Sequence, residues 1–129
     1  MDAYPIPEIC IYCNGKVSLI SNFIIYGKEY GNGLCYKCEK CDSYVGVHGD
    51  GVTPLGILAN RKMRLLKKEC HAAFDPLWKS GRMTRTAAYT KLADNLNIPV
   101  NECHFGWFDE AMLIRAKKTL KVITSNITW

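Results

Sequence analysis

Cys10-Ile-Tyr-Cys13 and Cys38-Glu-Lys-Cys41 are two Cys-x-x-Cys pairs with twenty-four residues between them. This spacing constrains the chain more than any other feature. A two-residue gap lets the backbone turn back on itself, so both sulfurs of a pair can meet one point in space. Two such knuckles supply the tetrahedral set of four thiolates that structural zinc prefers. Seven cysteines in 129 residues is an odd count. With no secretory segment at the start of the chain, an odd count argues against a disulfide framework and for metal ligation. Cys35 lies three residues before Cys38, so Cys35-x-x-Cys38 is a rival second knuckle. Cys38 and Cys41 are preferred, because Cys35 falls inside a strand-like stretch and Asp42-Ser43 begins a turn after Cys41.

The segment between the knuckles reads as a β-hairpin. "VSLISNFIIYG" is rich in β-branched and aromatic residues, "GKEYGNG" supplies a glycine-rich turn, and "LCYK" returns. "YVGVH" is a third short strand. In the first knuckle, Gly15 is expected to take the positive φ of the turn. Four thiolates around one Zn²⁺ leave a local charge of about −2; Lys16, Lys37 and Lys40 stand near enough in sequence to offset it. All four positions of the ion are then filled by sulfur, so the site is structural and has no place for a reacting water.

The second half is helical. "HGDGVTPLG" is a joint, which places a zinc-ribbon-like module over residues 1–50 and a helical module over residues 51–129. Thr53 reads as an N-cap and Pro54 as a first helical residue. That helix is expected to run to about Phe74 with Leu55, Leu58, Leu65, Leu66 and Ala73 inward, and Asp75-Pro76 to start a new turn. Thr84 caps a second helix whose inward residues are Ala88, Tyr89, Leu92 and Leu96, ended by Asn97 and Pro99. A last helix begins near 105–109 and runs to about Ile123, with Met112, Ile114, Ala116 and Leu120 inward. The tail "TSNITW" is expected to be loose. The fold class is thus α+β: a zinc ribbon, made of a hairpin and a third strand, packed on three to four helices.

Charge bears on partners. Seventeen Lys and Arg against twelve Asp and Glu give +5. The first helix carries Arg61, Lys62, Arg64, Lys67 and Lys68 without an acid among them, and the last carries Arg115, Lys117, Lys118 and Lys121. Such faces suit phosphates or an acidic protein. No apolar run approaches the ~20 residues that span a bilayer. The start "MDAYPIPEIC" lacks a signal-peptide pattern, so a cytoplasmic location is expected, with no membrane partner. The oligomeric state is not readable from the sequence.

Two triplets, Glu69-Cys70-His71 and Glu102-Cys103-His104, raise the question of a second site. Adjacent helical residues point about 100° apart, so neither Cys-His pair can share an ion. His71 with His104, joined by Asp75 or Asp109, is the combination that chemistry allows, as a metal site or an acid–base pair for phosphate esters. The structural reading has these groups joining helices, with Asp75 capping a turn at Pro76. A third reading makes Trp78, Phe105, Trp107 and Phe108 anchors for a partner. No Ser-His-Asp order, Walker loop or dinucleotide glycine motif occurs.

Read in order, Cys10-x-x-Cys13, "IYGKEYG", "CEKCDSYVGVH", "TPLG.LA", "HAAFDPLWK", "M.R..AY..LA..L.I" and "CHFGWFD" resemble a family of small zinc-finger-containing proteins of bacteriophages, prophages and some bacteria. The resemblance covers roughly residues 8–123. It implies one zinc-bound ribbon joined to a helical part, and a phage or prophage setting. It supplies no mechanism. The family pattern has "AHA" where this chain has Cys70-His71-Ala72, and it lacks Cys35. Both departures favour Cys10, Cys13, Cys38 and Cys41 as the single ligand set. The resulting expectation is a non-enzymatic zinc-binding accessory protein whose basic helices bind nucleic acid or a protein that handles it. The alternatives are a modulator of a host enzyme, and a phosphoesterase built on His71, His104, Asp75 and Asp109.

Overall fold

The computed structural model describes residues 4–127. The chain forms two compact units, one up to Lys62 and one from Met63. Each is described by itself.

The first unit is a three-stranded antiparallel sheet in the order β1-β2-β3, with β1 at Val17–Ser21, β2 at Leu34–Cys38 and β3 at Tyr44–Gly46. Val17 pairs with Cys38 and Leu19 with Tyr36, while Cys35 pairs with Gly46 and Tyr36 with Val45. The register puts Val17, Tyr36, Cys38 and Val45 into one small apolar cluster with Cys10 and Leu58. Here the hairpin departs from the strand expected over "VSLISNFIIYG". Strand β1 stops at Ser21, and Phe23–Tyr26 form a single helical turn, α1. The cause is Asn22. It is buried, its Nδ2 donates to Tyr30 O at 2.9 Å, and its Oδ1 accepts from Tyr30 N at 3.1 Å. A buried asparagine that spends its amide on backbone competes with the ladder and wins. Gly27, at φ 74, closes the turn with a 2.8 Å bond to Phe23 O.

The largest correction concerns residues 54–60, expected to open the first helix behind a Thr53 cap. Instead Pro54 is bridged to Val47 and Ala59 to Tyr44, so this segment runs along the sheet unit. Leu55 N donates to Gly46 O at 3.0 Å, and the Thr53 hydroxyl donates to Asp50 at 2.5 Å. Asp50 also accepts from the amides of Val52 and Thr53, both at 2.9 Å. Thr53 therefore belongs to an Asp50-centred turn, and the residues after it bridge to the sheet, so no helical N–H follows for it to cap. Leu55, expected inward, is 48% exposed.

Helix α2 spans Arg61–Lys79 and lies in the second unit from Met63 on, together with α3 at Arg85–Leu96, α4 at Glu110–Ser125 and short 3-10 turns at Val100–Glu102 and Phe105–Trp107. The buried residues of α2 are Met63, Leu66, Cys70, Phe74 and Leu77. They are spaced by threes and fours and form one stripe. The expected Leu65 faces out at 57% exposure, and Ala73 sits at the edge of the stripe. Pro76 does not break α2, which ends one turn later. The lost N–H would have met Ala72 O, and Ala72 is on the exposed face, so that carbonyl is not buried without a partner. Thr84 Oγ1 caps α3 by accepting from Ala87 N at 3.0 Å, and Asn97 ends it in a left-handed conformation. Ala88, Leu92 and Leu96 are buried as expected and Tyr89 is partly so. In α4 the buried set is Leu113, Ala116, Leu120 and Ile123; Met112 is half-buried and Ile114 exposed. Thr124 and Ser125 of the expected tail belong to α4, and residues 128–129 lie outside the described residues. Cys70 Sγ donates to Leu113 O at 3.4 Å, and Lys117 Nζ meets Glu69 Oε2 at 2.8 Å, joining α2 to α4. Among the described residues no helix is long and apolar enough to cross a membrane.

Candidate metal centre

The first knuckle precedes β1. Cys10 N donates to Gly15 O at 2.8 Å, Asn14 N donates to Cys10 O at 2.9 Å, and Asn14 takes the left-handed conformation at φ 62. The turn thus places its strain on Asn14, a residue that tolerates αL. Gly15 is needed for another reason. A Cβ there would stand 2.9 Å from Cys38 Sγ and 3.0 Å from Lys40 Cβ. The two knuckles pack through that gap.

The second knuckle leaves the end of β2. Lys40 N and Cys41 N point at Cys38 Sγ at 3.3 and 3.4 Å, and Tyr12 N points at Cys10 Sγ at 3.4 Å. Backbone amides aimed at sulfur stabilise the thiolate form. Cys41 Sγ lies 3.2 Å from Ser43 Oγ, and Ser43 is buried. Hydrogen bonds from the Ser43 side chain, then its backbone, hold the Cys41 thiol down at about 6. Lys37 reaches over to the carbonyls of Cys38 and Cys41 at 3.0 and 3.1 Å. Of the three lysines expected to offset the thiolates, it has these contacts at the knuckle, while Lys16 and Lys40 are exposed.

The four sulfurs of Cys10, Cys13, Cys38 and Cys41 all lie within 4.8 Å of one another. Cys10 to Cys41 is 3.6 Å and Cys13 to Cys38 is 3.4 Å. Zn–S bonds of about 2.3 Å in a tetrahedron put sulfurs about 3.8 Å apart. The cluster has that size. The donor set also calls for a cation. Gly15's amide lowers Cys13 most, but the three neighbouring sulfurs and burial outweigh it and push the thiol up to about 12. Four sulfurs this close cannot all ionise without a positive ion between them. The residues fit one structural Zn²⁺, with no open coordination position.

A family model for zinc-finger-containing domains, DUF3268, matches residues 6–124. The chain belongs to this zinc-finger-containing domain family. Neither the curated proteins nor the solved structures contain a match. The family match spans both units of this zinc-finger-containing domain, the cysteine cluster and the helices alike.

The other cysteines of the zinc-finger-containing domain stand apart from the cluster. Cys35 is buried in β2, and burial raises its thiol. Cys70 and Cys103 are buried in the helical unit, where desolvation pushes each up to about 11. Among the described residues, Cys10, Cys13, Cys38 and Cys41 are the one group of three or more His, Cys, Asp or Glu side chains that converges. His71 Nδ1 lies 3.8 Å from Asp75 Oδ1, and its ring meets the Phe105 ring at 4.8 Å. His104 Nε2 pairs with Asn101 O at 3.0 Å, and its ring lies 4.4 Å from Trp107. Asp75 does not cap a turn at Pro76, because α2 runs through it. Asp109 is the N-cap of α4, accepting from Met112 N at 2.8 Å. Phe105 and Phe108 are core. Trp78 is half-buried, with Lys79 and Arg85 over its ring at 5.5 and 5.8 Å.

Proposed function

We propose that this zinc-finger-containing domain is a non-enzymatic, nucleic-acid-binding accessory protein of phage or prophage origin, in which zinc is scaffold and α2 is the contact element. One observation carries the reading: Arg61, Lys62, Arg64, Lys67 and Lys68 fall within the first eight residues of α2, with no acid in its first turn. Eight residues span about 12 Å of helix axis, which is on the scale of a few phosphates along a strand. Arg61, Lys62 and Lys68 are exposed. Glu69, the next residue and the first acid of α2, is engaged by Lys117. Lys67 is half-buried; burial, then Arg64's charge, lowers its ammonium to about 8, so it is mostly protonated at neutral pH. On α4, Arg115 and Lys118 are exposed and add a second basic face.

Fluorescence anisotropy with single-stranded DNA, duplex DNA and RNA, from low to physiological salt, tests this. Three to five phosphate contacts give a slope of log K against log salt of about −3 to −5 on duplex DNA. The double variant Arg64→Gln/Lys68→Gln lowers that slope by about 2 and weakens all sequences alike. Absence of binding even at low salt, with capture of a host protein that persists at high salt, favours the protein-partner reading instead.

A further inference from the structure

The helical unit holds a cavity of about 250 Å³ that the reading above does not use. It is lined by Arg85, Thr86 and Tyr89 of α3 and by Val100, Cys103 and His104 of the segment that follows. Arg85, Thr86 and Tyr89 carry donors suited to an anion, and none of the six is a carboxylate. Arg85 has no carboxylate partner among the described residues. Its guanidinium is braced instead, 5.2 Å from the Tyr89 ring centre and 5.8 Å from that of Trp78, with Nη2 3.5 Å from Tyr89 Oη. An arginine held by aromatic faces loses less freedom on binding than a free one, and its fork matches phosphate oxygens. Tyr89 Oη accepts from Arg85, so its own proton is available to a ligand. His104 donates through Nε2 to Asn101 O, so Nδ1 of the neutral ring is an acceptor; toward a phosphate it takes the P–OH proton of the monohydrogen form, or donates once the ring is protonated. Thr86 adds a hydroxyl.

The acids nearby are turned to other work. Asp75, whose charge Tyr89 feels, is engaged by His71 at 3.8 Å and Lys79 at 3.7 Å. Glu102 lines a different cavity, with Trp107 and Asp109. Cys103 closes the wall as a neutral thiol, kept protonated by burial. The volume is ample for a tetrahedral oxyanion and leaves room for part of a group that carries it. A terminal phosphate presents three free oxygens to a fork, an imidazole and two hydroxyls, whereas an internal phosphodiester presents only two.

We propose that this cavity is a binding site for a terminal phosphate group, either inorganic phosphate or the monoester of a small nucleotide, with Arg85 as its principal contact. The proposal is independent of the α2 face.

The test uses the full zinc-loaded chain and amide NMR titrations at constant ionic strength, with sodium chloride as the ionic control. The probes are inorganic phosphate, adenosine 5′-monophosphate and adenylyl-adenosine, a diester without a terminal phosphate. Saturable shifts at Arg85, Thr86, Tyr89 and His104 are expected with either of the first two. Tighter binding of inorganic phosphate identifies the free anion as ligand, and tighter binding of the nucleotide identifies the monoester. Arg85→Gln should weaken binding about tenfold or more, the loss of one charge-assisted bidentate contact. Should Arg85→Gln fail to fold, judged by helical circular dichroism and zinc content, His104→Gln and Thr86→Ala probe the same cavity and should each weaken binding several-fold. The Arg64→Gln/Lys68→Gln protein keeps this site, so the two readings can fail separately. The proposal is overturned by an absence of saturable shifts with both phosphates, by equal binding of the diester, or by cavity variants that fold and bind like the parent.

Discussion

Gly15 shows how one hydrogen atom can matter to a metal centre. Sequence pattern puts glycine in the first knuckle and suggests backbone freedom as the cause. The positive φ belongs to Asn14 instead, at 62°, and Gly15 is there because Cys38 Sγ occupies the space a side chain would take. Gly15→Ala brings a methyl group to 2.9 Å from a ligand sulfur and 3.0 Å from Lys40 Cβ. One of the knuckles must then shift. Zinc affinity is expected to fall by about 10–100-fold, the range for lost support around a metal ligand, measured by competition with a chromophoric chelator. Unchanged affinity would mean that the knuckles are not packed as described. The ligands were legible in the sequence because two-residue spacing is a local geometric demand. Ser43 was legible only as a turn residue, since its role depends on burial beside Cys41, which no spacing reveals.

At the scale of elements, caps decide where helices begin and end. Helix α3 was readable because Thr84, Asn97 and the apolar positions between them agree. Helices α2 and α4 were shifted for reasons that lie outside their own periodicity. Asp50 gathers residues 50–53 into a turn and the bridges at Pro54 and Ala59 hold the next residues along the sheet, so α2 starts at Arg61. Asp109 caps α4, which starts at Glu110, and the packed face of that helix holds Leu113 inward while Ile114, about 100° away, is outward. This assignment is testable against the acid–base reading of the same residue. Asp109→Asn keeps a competent cap and should change stability by only a few tenths of a kcal/mol, while Asp109→Ala should cost about 1 kcal/mol. Chemical denaturation of the two variants checks both values. A phosphoesterase activity abolished by Asp109→Asn, with the fold intact, would restore the catalytic reading.

On the scale of the whole molecule, the two units differ in what holds them. The first has an apolar cluster of six buried residues, and two of these, Cys10 and Cys38, are zinc ligands. Withdraw the ion and four thiols remain crowded together, with part of the core committed to holding them. About sixty residues with so little apolar content fold poorly alone, and a structural zinc site contributes roughly 10–16 kcal/mol of apparent binding energy. The second unit is built on Phe74, Leu77, Leu92, Leu96, Leu113 and Leu120, each fully buried, and holds no ligand of the cluster. Chelation is therefore expected to act unevenly. Amide signals of residues 4–62 should collapse toward the dispersion of an unfolded chain, while most of the helical circular dichroism of α2, α3 and α4 persists. Acid should act in the same direction, because protons compete with zinc for the thiolates and affinity falls as pH falls. Re-addition of one equivalent of Zn²⁺ near neutral pH should restore the signals, with the release of thiol protons as the calorimetric signature. Loss of both units together on chelation would show that the helices depend on the zinc module for folding, and survival of the residue 4–62 signals without metal would remove zinc from the account of the fold.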